Sequence, residues 1–322
     1  MDVAAFCASS RVLVVAGKGG VGKTTTVGAM ALTAALHGLS VLIVDLEGRP
    51  TLPRAFGQQR PLSYDGLALF DDGRGSVTAR SVTPDEALLE YLADHGFKRI
   101  SRRLVASGVI DVVSTAIPGI ADVLVLGKVK QLEKTGAADL ILVDAPATGH
   151  AVTLLTSAAG LSEAARSGPL RSQAAEVLEL LNDPARCRVA LVTIAEEMPV
   201  TETIEAAYRL EDVAGVQLAP IVVNGIEEVP EILRTDANTI ADNAGVELDQ
   251  STLSCLEEAR KFAIHREALQ RSQLERLGAE LPLPQLRLPS IEGGLIGPRE
   301  LESLSRALAK EVGRLPAEPC AT

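Results

Sequence analysis

The chain has 322 residues, 47% of them hydrophobic, with a formal net charge of -11 and a pI near 5.0. That length can bury the core of one large α/β domain or of two smaller ones, and the acidic balance argues against nonspecific binding to nucleic acid. The N-terminus lacks the pattern of a signal peptide and no apolar run is long enough to span a membrane, so we expect a cytoplasmic protein.

The cysteines are scattered along the chain, at Cys7, Cys187, Cys255 and Cys320. They form no C-x-x-C pair, which argues against a zinc ribbon, an iron–sulfur cluster or a disulfide framework. We therefore expect reduced thiols that hold no metal.

Five short runs rich in Val, Ile, Leu and Ala lie at residues 11–17, 40–47, 139–146, 188–195 and 219–225. Each run is apolar almost throughout, whereas a strand with one solvent-facing side alternates between apolar and polar residues. Continuous apolar runs are typical of parallel strands that are buried on both faces. The sequence therefore predicts an α/β fold in which helices flank a mostly parallel central sheet.

Helical patterns lie between these runs and after them. Thr83, Pro84 and Glu86 form the N-cap, first position and capping box of a helix that we expect to end at Gly96, and a last helix follows Pro298. We interpret residues 1–322 as a single domain with helical insertions at about 84–134, 158–183 and 227–281. In the third insertion, the segment CLEEARKFAIHREALQRSQLERL predicts a solvated helix with one buried face, and a partner-binding helix is the alternative.

The most informative motif follows the first predicted strand and reads G-K-G-G-V-G-K-T-T. Its glycines allow positive φ angles, so that backbone N–H groups converge on phosphate oxygens at the N-terminus of the following helix. In such a phosphate-binding loop, or P-loop, Lys23 would neutralise the β- and γ-phosphates and Thr24 would hold Mg²⁺. The predicted nucleotide-binding residues of this loop are Gly17, Lys18, Gly19, Gly20, Val21, Gly22, Lys23, Thr24 and Thr25.

Lys18 is one lysine more than an ordinary P-loop contains. With it, the motif resembles the deviant Walker A sequence of the family that includes cell-division and plasmid-partition ATPases, the nitrogenase iron protein and the arsenical-pump ATPase. In that family the early lysine reaches the partner's phosphates across a nucleotide-sandwich dimer, and the resemblance implies this role for Lys18. A second cation at the γ-phosphate would stabilise the charge that develops during transfer.

Asp144 ends the third predicted strand, where a Walker B carboxylate would hold Mg²⁺ through water. The segment DAPATGHAVTLL resembles the switch II sequence of the arsenical-pump and tail-anchored-protein-targeting ATPases, and Thr148, Gly149 and His150 keep the register. Thr153 stands where those proteins usually have arginine. The segment IPGIADVL at residues 117–124 is similar to a P-G-I-D-E stretch of the same proteins.

Switch I departs from the pattern of this family. Relatives carry D-P-A-H-[NS]-L after the second strand, whereas this chain reads VDLEGRPTLPRAF. Counting back from Phe56 puts Glu47 at the position of the water-activating aspartate, and Asp45 is the competing carboxylate. Glutamate is one methylene longer, and a misplacement of about 1 Å can lower a rate by about 100-fold. We therefore expect slow ATP hydrolysis.

Two contacts to the adenine base also follow from the resemblance. Asn224 ends the fifth predicted strand, as does the asparagine with which the family reads adenine, and an amide can both donate and accept at the purine edge. The segment LRLPSI around Pro289 resembles the loop that covers the base. An asparagine at a strand end is about as often a turn former.

The resemblance covers residues 11 to about 308 and is greatest to bacterial ArsA-like proteins, which share an E-G-R switch I and often occur as paired paralogues. It implies an ATPase switch that uses Mg²⁺ and ATP and that dimerises with a second copy or with a paralogue. The residues implied as catalytic are Lys18, Lys23 and Glu47, and those implied as metal ligands are Thr24 and Asp144.

Other functions stay open from the sequence. Metalloid or anion efflux would need converging thiolates, and tail-anchored-protein targeting would need a large apolar groove and, in eukaryotic relatives, a C-x-x-C zinc clasp that this sequence lacks. A positioning ATPase or an ATP-binding scaffold with negligible turnover is a further alternative. We expect no nucleic-acid partner, and the client of the switch, a protein or a membrane-associated molecule, is not evident from the sequence.

Overall fold

A central sheet organises the computed structural model, which describes residues 1–94, 119–164, 167–291 and 293–316. Its strands are β1 (Val12–Gly17), β2 (Ser40–Asp45), β3 (Leu67–Asp71), β4 (Ser76–Ser81), β5 (Leu140–Ala147), β6 (Cys187–Ile194), β7 (Ile221–Ile226) and β8 (Gln285–Pro289). Their order across the sheet is β3-β4-β2-β5-β1-β6-β7-β8. Neighbouring strands are parallel except β3 and β4, which confirms the predicted α/β class.

Helices pack on both faces of this sheet. They are α1 (Val3–Cys7), α2 (Lys23–Leu36), α3 (Thr51–Ala55), α4 (Pro84–Asp94), α5 (Ile120–Lys134), α6 (Thr148–Ala164), α7 (Pro169–Leu181), α8 (Glu197–Arg209), α9 (Ala237–Ala244), α10 (Gln250–Glu280) and α11 (Pro298–Gly313). In the part of the chain that the structure describes, no helix is long and apolar enough to cross a membrane.

The five apolar runs are confirmed as β1, β2, β5, β6 and β7, which occupy the interior of the sheet. Alternate residues of β1 enter different cores: Val12, Val14 and Ala16 pack on one face, and Leu13 and Val15 on the other. Such double burial requires continuous apolar sequence. The remaining strands, β3, β4 and β8, were not predicted because they are short, carry polar residues and lie toward the edges.

Two predicted helix boundaries are confirmed. Thr83 and Glu86 exchange side-chain to backbone hydrogen bonds of 3.2 and 3.3 Å, and α4 begins at Pro84 as the capping box predicts. The predicted end of α4 at Gly96 lies outside the described residues. The last helix, α11, begins at Pro298 and buries an apolar stripe of Leu301, Leu304, Leu308 and Val312.

The long helix α10 was predicted to be solvated with one buried face. Along one side Leu253, Ile264 and Leu274 are half-buried, and Gln270 and Leu277 are buried. Toward its N-terminus, the Glu257 carboxylate accepts from the Ala237 backbone N–H of the short α9 at 3.2 Å. The buried side chains thus lie in the C-terminal half of the helix.

Candidate active site

The P-loop connects the carboxyl end of β1 to the first turn of α2. Gly20 and Gly22 have φ angles of 88° and 87°, in a region that residues with a Cβ rarely adopt. A Cβ on Gly17 would lie 2.2 Å from the Val192 carbonyl oxygen of β6. A Cβ on Gly22 would lie 2.2 Å from Asn224 Nδ2. These glycines are therefore required by backbone conformation and by close packing, at a helix N-terminus suited to an anion.

Lys23 is the first residue of α2 and lies beneath the loop. Only 6% of its surface is exposed, and its Nζ donates to the Lys18 carbonyl oxygen at 3.3 Å. Burial lowers the pKa of Lys23, while the Asp144 and Glu47 carboxylates act in the opposite direction. A phosphate group beside this ammonium would stabilise its charge.

Asp144 lies beside the P-loop because β5 pairs in parallel with β1. The Thr24 hydroxyl donates to Asp144 Oδ2 at 2.7 Å, and Oδ1 is buried with no hydrogen-bond partner in the described residues. Burial raises the pKa of Asp144 to about 7, and neighbouring carboxylates add to this effect, whereas Thr24 and Lys23 oppose it. The site therefore holds a buried carboxyl group with one oxygen that has no hydrogen-bond partner among the described residues.

A second buried carboxylate, Asp45, is the register partner of Asp144 across β2 and β5. Its Oδ1 accepts from the backbone N–H groups of Glu47 at 2.9 Å and Gly48 at 3.0 Å, so it caps the first turn of switch I. Its Oδ2 has no partner among the described residues. Two unpaired carboxylate oxygens at the carboxyl ends of adjacent strands form an oxygen-rich position that suits a divalent cation.

These two carboxyl groups make a contribution to the stability of the nucleotide-free protein that we expect to be lost as the pH rises. The pKa of Asp144 is raised from 3.8 to about 7, so the unfolded chain gives up its proton at a lower pH than the folded chain does. The loss should start near pH 4 and be complete near pH 7, and the raised pKa of Asp45 acts in the same direction.

Thermal denaturation of the wild type and of Asp144→Asn between pH 4 and pH 8 measures this effect. We expect the Tm of the wild type to fall relative to that of the variant as the pH rises, because asparagine does not titrate. A Tm difference that stays constant over this range would contradict the raised pKa.

Glu47 lies in the turn that Asp45 caps, and its side chain is partly exposed. Its side chain is 25% exposed, and its Oε1 accepts from Arg49 Nη2 at 3.1 Å. Asp45, the competing carboxylate, is already engaged by two backbone groups. Of the two, Glu47 is the one that can change position without breaking the turn.

Lys18 forms an ion pair with Glu202 at the mouth of the P-loop. The Lys18 Nζ and Glu202 Oε1 atoms are 2.5 Å apart, and the side chains are 34% and 33% exposed. Glu202 lies on α8, which follows β6, the neighbour of β1 on the side away from β5. The sequence analysis missed Glu202 because the two residues are 184 positions apart and no local motif connects them.

The two predicted adenine-contact positions differ in their surroundings. Asn224 donates its side-chain amide to the Val21 carbonyl oxygen at 2.9 Å, so it braces the P-loop. Pro289 ends the edge strand β8, although LRLPSI was interpreted as a loop. The strand forms there because Leu286 and Leu288 alternate with exposed residues and are both fully buried against the sheet.

The predicted switch II residues begin α6, directly after β5. Thr148 is its first residue, and Gly149 and His150 are exposed. Thr153, at the usual arginine position, donates its hydroxyl to the Gly149 carbonyl oxygen at 3.0 Å. The IPGIADVL segment, which is described from Gly119 onward, lies near switch II. Burial raises the pKa of Asp122 in this segment, and the charge of His150 in switch II acts in the opposite direction.

Comparison with known proteins agrees with this arrangement. The family model described as anion-transporting ATPase matches residues 10–167, which include the P-loop and both switches. ATPase BagA of Mycobacterium tuberculosis is 32% identical over 327 residues, covering 94% of this chain and 93% of that protein. The chain belongs to the anion-transporting ATPase family. It is therefore an ATP hydrolase.

Other relatives match this chain over shorter lengths. ATPase get3 of Neurospora crassa is 30% identical over 167 residues, or 51% of this chain and 48% of that protein. A protein of Halobacterium salinarum that is named as an arsenical pump-driving ATPase is 26% identical over 234 residues, or 67% of this chain and 35% of that protein. Glu202, Asn224 and α10 lie beyond the residues matched by the family model.

Proposed function

We propose that this ATPase is a Mg²⁺-dependent switch, built as one domain over residues 1–322, in which ATP draws two chains together and hydrolysis releases them. The observation that carries the proposal is the grouping of Thr24, Asp45 and Asp144 at the P-loop, with an unpaired oxygen on each carboxylate. The γ-phosphate would hold switches I and II in one arrangement, and its loss would release them.

The donor atoms at this position suit Mg²⁺. This cation prefers oxygen ligands, retains several waters and is usually held by one or two carboxylates together with substrate phosphates. The Thr24 hydroxyl would bind it directly after leaving Asp144, and Asp144 would hold one of its waters. When bound, the cation neutralises charge on the β- and γ-phosphates.

We assign the orientation of the attacking water to Glu47. Its ion pair with Arg49 is partly exposed, and such pairs contribute only about 0–1 kcal/mol, so the carboxylate can rotate toward the γ-phosphate at small cost. The longer glutamate side chain supports slow turnover, because it must adopt one of several rotamers before it can position water.

The contacts of Lys18 support the proposed dimerisation. Within one chain its ammonium pairs with Glu202, and only its backbone carbonyl contacts the Lys23 side chain. Release from Glu202 would free a partly exposed cation to reach the phosphates of a partner. The partner is a second copy of this chain or a paralogue, and light scattering during size exclusion with ATP separates the two cases, since a strict monomer excludes the homodimer.

Replacing Glu202 with glutamine should promote ATP-dependent dimerisation. The variant removes the charge that holds Lys18 in its own chain, and partly exposed ion pairs of this kind are worth up to about 1 kcal/mol. Each Lys18–Glu202 ion pair that no longer has to break should lower the protein concentration for half-maximal dimerisation by about two- to fivefold relative to the wild type. Light scattering across a protein dilution series at saturating ATP provides the measurement.

Glu205→Gln is the matched control, because Glu205 lies on the same helix, is exposed and forms no ion pair within the described residues. It removes the same charge from α8 without releasing Lys18. Equal shifts in the two variants would mean that net charge, rather than the Lys18 contact, controls dimerisation.

Metalloid extrusion is the second candidate function, because one relative is named as an arsenical pump-driving ATPase. It would need thiolates that converge on one ligand. Cys7 and Cys187 instead pack in cores on opposite faces of the sheet, and burial raises the pKa of both thiols to about 12. Steady-state ATPase assays with arsenite or antimonite test this candidate, and stimulation by either would favour it over the proposed switch.

A further inference from the structure

A cavity of about 220 Å³ lies between α4, α5 and α7 and shares no lining residue with the P-loop or the switches. Three lysines line it, Lys128, Lys130 and Lys134, against one carboxylate, Glu90. The remaining polar lining includes two glutamines and a tyrosine. Lys128 pairs with Glu90, and Lys130 pairs with Glu176, which is not part of the lining, so the excess positive charge is that of Lys134. A local excess of positive charge is notable because the whole chain has a net charge of -11.

Lys128 is held in place by a network of polar side chains. Only 8% of its side chain is exposed, and its Nζ donates to Glu90 Oε1 at 2.6 Å and to Gln131 Oε1 at 2.9 Å. Tyr64 donates to the other oxygen of Glu90, and the Arg80 guanidinium lies 4.4 Å from the centre of the Tyr64 ring. The cavity wall is therefore an ordered structure rather than a group of loose surface lysines.

Glu90 stays charged within this network. Burial acts to raise its pKa, but the hydrogen bonds from Lys128 and Tyr64 outweigh burial and lower the pKa of Glu90. The Glu90 carboxylate therefore neutralises the charge of one lining lysine, Lys128.

Of the other two lysines, Lys130 forms a second ion pair and Lys134 leaves a positive charge at the cavity. Lys130 is 11% exposed at its side chain and pairs with Glu176, which is itself 44% exposed. Lys134 is exposed and forms no ion pair within the described residues. Because an ammonium has three donors, these two lysines have more hydrogen bonds to give than their partners accept.

A glycine shapes the opposite wall. A Cβ on Gly127 would lie 1.9 Å from Gln173 Nε2, so the absence of a side chain on α5 allows the Gln173 amide of α7 to lie against the helix. That amide adds another donor to the lining. Gly127 therefore offers a way to disturb the cavity without changing any charge.

We infer that this cavity binds a compact anion with a carboxylate or phosphate group. Its volume of about 220 Å³ suits a small metabolite. Ammonium and amide donors converge on it from α5 and α7, and charge-assisted hydrogen bonds of this kind are the strong ones. The inference does not depend on the proposed dimeric switch.

Isothermal titration calorimetry on the full chain tests the site, with saturating MgADP present to occupy the P-loop. Tricarballylate probes for a carboxylate ligand and inorganic phosphate for a phosphate ligand. We expect at least one of them to bind with one site per chain. Lys134→Gln and Lys130→Met should each weaken that binding by at least about tenfold, because each removes one charge-assisted contact.

Lys261→Gln is the charge-matched control, because Lys261 lies on α10, is 67% exposed and is far in sequence from the cavity. It should leave the affinity within about twofold.

Gly127→Ala should weaken binding although it removes no charge. If Gly127→Ala does not fold, Lys134→Gln still decides the test, because Lys134 is exposed. Absence of binding by both anions at 10 mM, or binding that Lys134→Gln and Lys261→Gln reduce equally, would overturn the inference.

Discussion

Alanine at Lys18 should lower the steady-state ATPase rate by about 100-fold or more while ATP still binds. A preorganised group that stabilises developing charge is commonly worth a factor of about 100 to 1000 in rate. Lys23, the P-loop glycines and Thr24 remain in the variant, so ATP affinity should stay within about threefold. Phosphate release measures the rate, and a fluorescent ATP analogue measures the affinity.

A mixing experiment distinguishes action on the partner's phosphates from action on the chain's own. Lys18→Ala and Lys23→Ala should each be inactive, but a mixed dimer would contain one site with both lysines intact, so that mixing restores part of the activity. If Lys18 acted within its own chain, the mixture would stay inactive. If Lys18→Ala kept the wild-type rate, the role assigned to Lys18 in the partner's site would be wrong. If the wild type did not hydrolyse ATP above background, the chain would be an ATP-binding scaffold and the proposed switch would be wrong.

Glutamine at Glu47 should slow hydrolysis by about 100-fold and leave the ATP-bound dimer intact. A carboxylate that accepts a proton from the attacking water typically contributes a factor of about 100 to 10000, and an amide cannot accept it. Glutamine has nearly the same size, so ATP binding and dimerisation should persist. The variant should therefore accumulate as a dimer with unhydrolysed ATP, which light scattering and chromatography of the bound nucleotide can detect.

Asp45→Asn and Arg49→Gln are the controls for this assignment. Asparagine at position 45 can still accept the Glu47 and Gly48 backbone hydrogen bonds through its side-chain oxygen, so the turn should survive and the rate should fall less than in Glu47→Gln. Arg49→Gln removes the ion pair with Glu47 and should leave the rate within a few-fold. A larger loss in Asp45→Asn than in Glu47→Gln, at a Mg²⁺ concentration that saturates both variants, would transfer the role to Asp45.

Local sequence was sufficient for the interior of the sheet and for the P-loop. The strands β1, β2, β5, β6 and β7 could be predicted because burial on both faces requires continuous apolar residues. Gly20 and Gly22 could be recognised because their positive φ angles are a property of the chain itself. By contrast, the edge strand β8 was interpreted as a loop, since five residues with only alternate burial carry a weak signal.

Parts of the site depended on how distant segments pack. Asp45 and Asp144 are neighbours because β2 lies beside β5, and the pair of unpaired oxygens follows from that register. Lys18 meets Glu202 because β6 lies on the other side of β1. The three lysines of the cavity lie on one helix, α5, whereas the carboxylate partners Glu90 and Glu176 lie on α4 and α7.

The sequence by itself therefore determined the α/β class, the P-loop and the carboxylate of β5, because backbone conformation, hydrophobic burial and a contiguous motif are set by neighbouring residues. Only the tertiary structure decided which charges meet: the Lys18 ion pair, the two adjacent aspartates and the cationic cavity. Hydrogen-bonded ion pairs form only between charges that lie a few ångströms apart. Local sequence does not specify the order of the strands, and that order brings residues as far apart as 184 positions within this distance.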